Sequence, residues 1–328
     1  MRAEAFSAAV SVGSALILIV VSLLGAKNDL RKMEPGPVTS YLRPRGALAR
    51  TMYDRIANDK VVEEFDKRKW YICNLEMIQD EKLRQAFVQL EMDKETELFL
   101  ESSSDKSERI LLQMWHTLVS SLLKWFLTRT SINGLLSRGS MFVFSESHFR
   151  RLLPRVPGGC LLDLGAGDGL ITNVMAPTFS QVFATEVSPT MRYTLAQRGY
   201  KVLEIENWSS RGPFDVISCL NLLDRCSKPW SLLTEIRNSL VPDTGRLIVA
   251  LVLPFQPYVE ADSWDHSPEE NLNIKGETFE DQINSTAQVL QSAGFEIERW
   301  TRLPYLCEGD LGQSYYWLDD VVFVLKPV

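Results

Sequence analysis

The sequence predicts an α/β fold: a doubly wound, mostly parallel sheet of the Rossmann-like kind, preceded by a helical extension. Three observations carry this. Apolar segments that read as strands alternate with helical patterns from Cys160 onward, the arrangement from which parallel sheets are built. The run CLLDLGAGDGL at 160–170 reads as a buried strand, a glycine turn and a helix start, a layout in which the backbone can approach a nucleotide-like ligand closely. A second apolar strand at 182–185 ends on Glu186, 21 residues after Gly165, where an acid is placed to accept both ribose hydroxyls of an adenosine.

The turn itself narrows the ligand. Its glycines, Gly165, Gly167 and Gly169, are spaced G-x-G-x-G, and Leu170 stands where a dinucleotide fingerprint needs its last glycine. No Lys-Ser/Thr follows, which excludes a phosphate-binding P-loop. Asp163 and Asp168 put carboxylates beside the turn, and carboxylates suit a cationic ligand better than a pyrophosphate. S-adenosylmethionine, an adenosine with a sulfonium and an amino group, is such a ligand. The alternative is a tight strand–helix turn with no ligand.

Composition bounds the rest. The 328 residues are 45% hydrophobic and 23% charged, enough for one large or two ordinary globular domains. A net charge of −7 argues against a nucleic-acid partner. Five cysteines include no C-x-x-C pair, and the three histidines, His116, His148 and His266, have no metal spacing. Neither a disulfide framework nor a metal site is predicted.

In chain order, residues 5–26 carry no charge and would span about 33 Å as a helix, one bilayer core. Lys27, Arg31 and Lys32 follow. The segment, 1–27 as a unit, reads as an uncleaved anchor with the body on the cytoplasmic side, a cleaved signal being the alternative. Residues 28–69 read as a linker or arm. Residues 70–145 read as a helical extension: a helix over 70–92, a break at Ser102–Ser104, and a helix over 106–128 whose wide apolar face calls for the catalytic domain as its partner. Its last part, 128–141, is polar and glycine-bearing, either a loop closing over the cofactor or a connector. The main domain is 146–328. After Glu186, Ser188-Pro189 opens a helix that Gly199 closes. Strands follow at 200–205, 214–220, 245–253, 295–300 and 321–325, with helices at 229–240 and 278–293. Asn207-Trp208 follows the third strand, where an adenine edge could be bound. Asn221 and Asp224 follow the fourth. Gly165, Glu186, Asn221 and Asp224 all fall at carboxyl ends of strands, where such sheets bind ligands. Two sequons occur, at Asn207 and Asn284.

The strings DLGAGDG, ATE, SCLNLLDRC, ALVLPFQPYVE and TRLPYLCEGD, with TRTSINGLLSRGSMFVFS upstream, together resemble the DREV family of protein-histidine N-pros methyltransferases, over roughly residues 70–328. The resemblance implies a seven-stranded class I methyltransferase fold and an S-adenosylmethionine-dependent enzyme. It also implies methylation of the pros nitrogen of histidine in protein substrates with His-x-His motifs, x being small. Glu186, Asn221 and Tyr305 match the family's cofactor-binding positions. Association with the endoplasmic reticulum and mitochondria is also implied, compatible with membrane association through residues 5–26. The cofactor set expected is thus Asp163, Gly165, Gly167, Glu186, Asn207, Asn221 and Tyr305.

The chemistry asks little of a base. Imidazole is mostly neutral at pH 7, so the site must choose which nitrogen attacks. A carboxylate accepting the tele N–H leaves the pros lone pair free and stabilises the imidazolium that forms. Asp224 is assigned that role, with Asn221 positioning the cofactor or the ring and Tyr305 closing the pocket from the last loop. Pairing with Arg225 or capping the next helix is the bland alternative for Asp224. Acids at Glu260, Asp262, Asp265, Glu269, Glu270, Glu308 and Asp310 could attract a histidine-rich peptide. Competing readings are a non-catalytic S-adenosylmethionine-binding interaction module and a small-molecule methyltransferase. The glycine spacing argues against a nicotinamide dehydrogenase.

Overall fold

A computed structural model describes residues 46–125, 129–136, 138–154, 158–259 and 266–328. The stretch at 5–26, the first part of the arm, and Glu260, Asp262 and Asp265 lie outside the described residues. In order come α1 (Ala47–Glu64), 3-10 turns at Lys67–Tyr71 and Leu75–Met77, α2 (Glu81–Gln85), α3 (Lys94–Glu108), α4 (Ile110–Leu123), α5 (Arg129–Leu135), β1 (Met141–Phe142) and α6 (Glu146–Leu152). Then follow β2 (Cys160–Leu164), α7 (Leu170–Met175), β3 (Gln181–Thr185), α8 (Pro189–Gln197), β4 (Lys201–Leu203), β5 (Val216–Leu220), α9 (Pro229–Ser239), β6 (Arg246–Val252), α10 (Phe279–Ser292), β7 (Phe295–Glu308) and β8 (Tyr315–Pro327).

One sheet runs in the order β1-β7-β8-β6-β5-β2-β3-β4. β4, β3, β2, β5 and β6 are parallel neighbours, and β8 enters antiparallel between β6 and β7. The strands are apolar on both faces because helices cover both. Leu162, Ile217, Val249 and Phe323 face one layer with Leu233, Ile236, Ile283 and Leu290 of α9 and α10. Leu161, Val216, Ile248 and Val322 face the other, with Trp70, Leu100, Phe149 and Met175. The helical extension therefore supplies much of the second cover. Local signals act where expected: Ser188 caps α8 ahead of Pro189, and Thr278 and Asp281 form a capping box on α10.

Several expectations are corrected. The helix expected over 70–92 is cut into short turns, because Asn74 and Asp80 each turn a side chain onto backbone N–H groups two or three residues on. The chain then runs extended, and Phe87 bridges to Trp300. Ser102–Ser104 do not interrupt α3; the break is at Arg109. Ser103 and Ser107 are buried, and the buried Arg55 of α1 donates to Ser107 O at 2.5 Å and to Ser107 Oγ at 2.8 Å. Small side chains there let α1, part of the expected linker, lie against the body. The segment at 128–141 contains α5 and leads into the edge strand β1, which pairs with β7. Asn284 is buried, with its amide bonded to Gln79 N and Met77 O, both at 3.0 Å, so the second sequon is not a free glycan acceptor.

The apolar face of α4 does not pack on the sheet domain. Leu111, Trp115 and Leu122 are 84%, 57% and 51% exposed, while Gln113 and His116 are buried. Leu111→Ser is therefore expected to change unfolding free energy by less than about 0.5 kcal/mol. Trp300→Ala should cost about 3–5 kcal/mol, since Trp300 is fully buried and its indole donates to Leu83 O at 2.7 Å. Urea unfolding of the two variants checks this contrast.

Candidate active site

The site is built where β2, β3 and β5 end. After β2 the chain turns through Gly165, Gly167 and Gly169, with φ of 67°, 57° and 78°, values that glycine tolerates without strain. A Cβ on Gly165 would meet Leu222 Cδ1 at 3.0 Å, whereas one on Gly167 would have no heavy atom within 4 Å. The first glycine thus allows close approach to the loop after β5; the second borders open space. Glu186 is buried at the end of β3. One carboxylate oxygen accepts from Gly167 N at 3.0 Å and the other from Ser188 N at 2.9 Å. It ties the glycine turn to the start of α8, and each oxygen keeps lone-pair capacity for a hydroxyl donor.

Asp163 takes a different place from the one expected. It is buried within β2, accepting from Thr172 Oγ1 at 2.5 Å and Ser218 Oγ at 2.7 Å. It braces β2 against α7 and β5 from inside. Burial pushes its carboxyl up to about 6, against the two hydrogen bonds that lower it. The sign of the resulting pH dependence follows directly. The folded acid holds its proton above the unfolded value of 3.8, so its contribution to stability is largest below that value and is lost as pH rises to about 6. Asp163→Asn should remove this decline, seen as a flatter stability profile between pH 4 and 6 in urea titrations.

The end of β5 carries the rest. Asn221 sits at φ 51°, a left-handed conformation uncommon for a non-glycine residue, and its N–H donates to Ala250 O at 3.0 Å. Its side-chain Nδ2 donates to Asp320 Oδ2 at 3.1 Å, across to β8. Asp224 is buried; its Oδ2 accepts from Arg225 Nε at 3.1 Å. Asp224 thus pairs with Arg225 and keeps one oxygen free, while the next helix, α9, starts after Lys228 with no side-chain cap. Burial raises its carboxyl above the ordinary range, with Arg225 opposing. Three acceptor oxygens, Asn221 Oδ1, Asp224 Oδ1 and Asp320 Oδ1, are buried with no hydrogen-bond partner.

Tyr305 lies within β7, opposite Leu318 of β8, not on a loop. Its hydroxyl meets Met141 Sδ of β1, and burial raises it well above its ordinary value. Asn207 is exposed at the start of a 3-10 turn, while the neighbouring Trp208 is buried in the core. The indole expected near an adenine packs inside instead. Asp320 was not foreseen: it stands immediately before Val321–Leu325, the residues that mark the strand. A fully buried acid beside such a run is the signal that could have found it.

The chemistry of this donor set fits one kind of ligand. Open space beside Gly167, a carboxylate at the β3 tip and three unpartnered acceptors ask for a molecule bearing hydroxyls, N–H donors and positive charge. The strand order and this site define a methyltransferase of the Rossmann-like, seven-stranded class I, with β1 as an added edge strand, and S-adenosylmethionine is the cofactor that fits it. Residues 70–327 match the DREV methyltransferase family, and the chain belongs to it. Among curated proteins, the chain is similar to the ubiquinone biosynthesis O-methyltransferase of Xanthomonas campestris pv. campestris (strain B100), 27% identical over 97 residues, 26% of this chain and 41% of that protein. The enzyme of that description from Xylella fastidiosa (strain 9a5c) is 28% identical over 110 residues, 30% of this chain and 44% of the other. The chain spans less than half the length of these relatives. Among solved structures, it is similar to the N-methyltransferase NodS of Bradyrhizobium japonicum WM9 in complex with S-adenosyl-L-homocysteine, at 15% identity and a TM-score of 0.38, covering 56% of this chain and 85% of that one. An S-adenosylmethionine-dependent methyltransferase from Clostridium acetobutylicum ATCC 824 gives 11% identity and a TM-score of 0.38, covering 65% and 98%.

Proposed function

We propose that this protein is a protein-histidine methyltransferase, transferring the methyl group of S-adenosylmethionine to the pros nitrogen of histidine in His-x-His segments of substrate proteins. The observation that carries the reading is the acceptor-only character of the site at the end of β5. Asn221 Oδ1 and Asp224 Oδ1 are buried without partners, and buried acceptors without donors are costly unless a ligand supplies N–H groups. A neutral imidazole has one N–H to give and one lone pair to attack with.

S-adenosylmethionine, when bound, supplies the electrophilic methyl group. Gly165 and Gly167 leave room for it, and Glu186 presents carboxylate oxygens for its hydroxyls. Asp224 accepts the tele N–H of the target ring, which fixes the tautomer and leaves the pros nitrogen as nucleophile. As the imidazolium forms, the Asp224 carboxylate stabilises it and takes its tele proton, the more readily because burial has raised its basicity. Asn221 positions the ring or the amino group of the donor, and Tyr305 borders the site from β7. Asn207 has no assigned contact and remains a cofactor candidate only by its position after β4.

Substrates would reach this site at the cytoplasmic face of the endoplasmic reticulum or at mitochondria, with residues 5–26 as anchor. Carbonate extraction and protease protection test that placement; a lumen-protected body would defeat it. For the activity, labelled methyl transfer to a His-Ala-His peptide is the test, with label expected on the pros nitrogen alone. Label on lysine, arginine or a quinol hydroxyl would replace this reading, the last in favour of a small-molecule acceptor such as the curated relatives' names describe.

A further inference from the structure

Asp320 lies in β8 between β6 and β7, opposite Val252 and Leu303, and is fully buried. Its Oδ2 accepts from Asn221 Nδ2 at 3.1 Å, and its Oδ1 has no partner. A buried carboxylate is ordinarily held by several donors or by a cation. The ionisable groups facing it are Asp224, from the segment after β5, and Tyr305, from β7. Two guanidiniums stand close in sequence to these residues, and each pairs elsewhere: Arg302 with Asp319 at 2.7 Å, and Arg225 with Asp224 at 3.1 Å. Asp320 is therefore a buried acid with one side-chain donor, Asn221, supplemented by the backbone at Val321 and Leu251, and with one oxygen unpartnered.

The geometry has two consequences. The hydrogen bond from Nδ2 fixes the plane of the Asn221 amide, so its unpartnered carbonyl Oδ1 is held ready for a ligand donor. The acid itself, with burial outweighing the hydrogen bonds from Asn221 and from the backbone at Val321 and Leu251, and with Asp224 adding repulsion, is pushed up to about 8 and is mostly protonated at pH 7. A cation arriving beside it would reverse that balance, since an opposite charge favours the ionised form.

We propose that Asp320 is a positioning residue of the methyl-transfer site: it fixes the Asn221 amide with its carbonyl free to accept, and it releases its proton when the cationic methyl donor binds. The inference rests on the methyltransferase reading above. The step is a heterolytic loss of the carboxyl proton to solvent; nothing is oxidised, and the carboxylate left behind balances the added positive charge. The site then distinguishes S-adenosylmethionine, which carries a sulfonium, from S-adenosylhomocysteine, whose sulfur is neutral. Charge-linked ionisation thus favours the unreacted donor over the spent product.

Titration calorimetry of the full chain with S-adenosylmethionine, in phosphate and in Tris buffer, reads the proton directly. Wild type at pH 7 is expected to release close to one proton per molecule bound, and this release should vanish above about pH 9. Asp320→Asn, a neutral isostere that can still accept from Asn221, should lose the release and bind S-adenosylmethionine about tenfold more weakly. Its affinity for S-adenosylhomocysteine should fall less than about threefold. Asp224→Asn, which removes one source of repulsion from Asp320, should reduce the release without abolishing it. On wild type alone, an infrared difference spectrum should show loss of a protonated-carboxyl C=O band on binding, so the idea stays testable should Asp320→Asn fail to fold. Undiminished release in Asp320→Asn, no release in wild type, or equal weakening toward both ligands would overturn the proposal. A complete absence of binding heat with S-adenosylmethionine would instead overturn the methyltransferase reading itself.

Discussion

Asp224→Ala is expected to bind S-adenosylmethionine within about threefold of wild type and to transfer methyl to a His-Ala-His peptide about 10²–10⁴-fold more slowly. The split follows from where the residue stands. Asp224 follows β5 by a few residues, Arg225 holds one of its oxygens, and the other is buried without a donor. The glycine turn and Glu186, assigned above to the adenosine, do not depend on it. On the function proposed above, its loss removes the acceptor that selects the tautomer and neutralises the nascent imidazolium. The pH profile gives a second reading. Wild-type transfer should fall on the acid side as the substrate imidazole, near pH 6.5, and Asp224, whose carboxyl burial raises above its ordinary value, take up protons. In the variant the acid limb should report the imidazole alone. An Asp224→Ala variant that lost the cofactor as well would make Asp224 a cofactor ligand and leave the tautomer choice to another group. Single-turnover transfer with binding measured separately resolves the two.

Much of the sheet was legible because its signals are local. A buried parallel strand is a short apolar run, and a glycine turn is read within ten residues. Glu186 is identified by one spacing from Gly165. The alternation of strand and helix after Cys160 then leaves few topologies. Asn221 and Asp224 were legible for the same reason: polar residues directly after an apolar strand.

What was misread depends on contacts distant in sequence. Residues 302–310 read as a connection between the last two strands, yet β7 runs on through Pro304 to Glu308, which pairs with Tyr315 of β8. Tyr305 thus sits on a rigid strand, with its hydroxyl against Met141. Asp320 is 99 positions from Asn221, and no local pattern joins the two. On α4 the periodicity gave a helix correctly, but period says nothing about which face is covered, and it is Gln113 and His116 that are buried. Asp163 illustrates the reverse error. An acid beside a glycine turn looks ligand-facing, but in a strand each successive side chain alternates sides, and Asp163 points to Thr172 and Ser218 within the fold.

Substitutions at the glycine turn separate ligand space from fold stability. Gly165→Arg should reduce affinity for S-adenosylmethionine by at least about 100-fold. The position requires φ 67°, and a Cβ there already meets Leu222 at 3.0 Å, so a long side chain must push aside either the β5 segment or the bound donor. That variant alone mixes strain with occlusion. Gly167→Ala adds backbone strain but no clash within the protein, because its added methyl meets no heavy atom within 4 Å. The left-handed backbone at φ 57° should cost about 1–2 kcal/mol in stability, and the Gly167 N–H to Glu186 is untouched by the change. If the open space beside Gly167 is where the donor lies, this single methyl group should weaken donor binding by about tenfold or more while the protein stays folded. If it is merely solvent beside a tight turn, calorimetry will find the two proteins equal in affinity and different only in stability. The Gly165→Arg result alone cannot make that distinction, so the pair of variants is what decides whether the turn is a cofactor cradle.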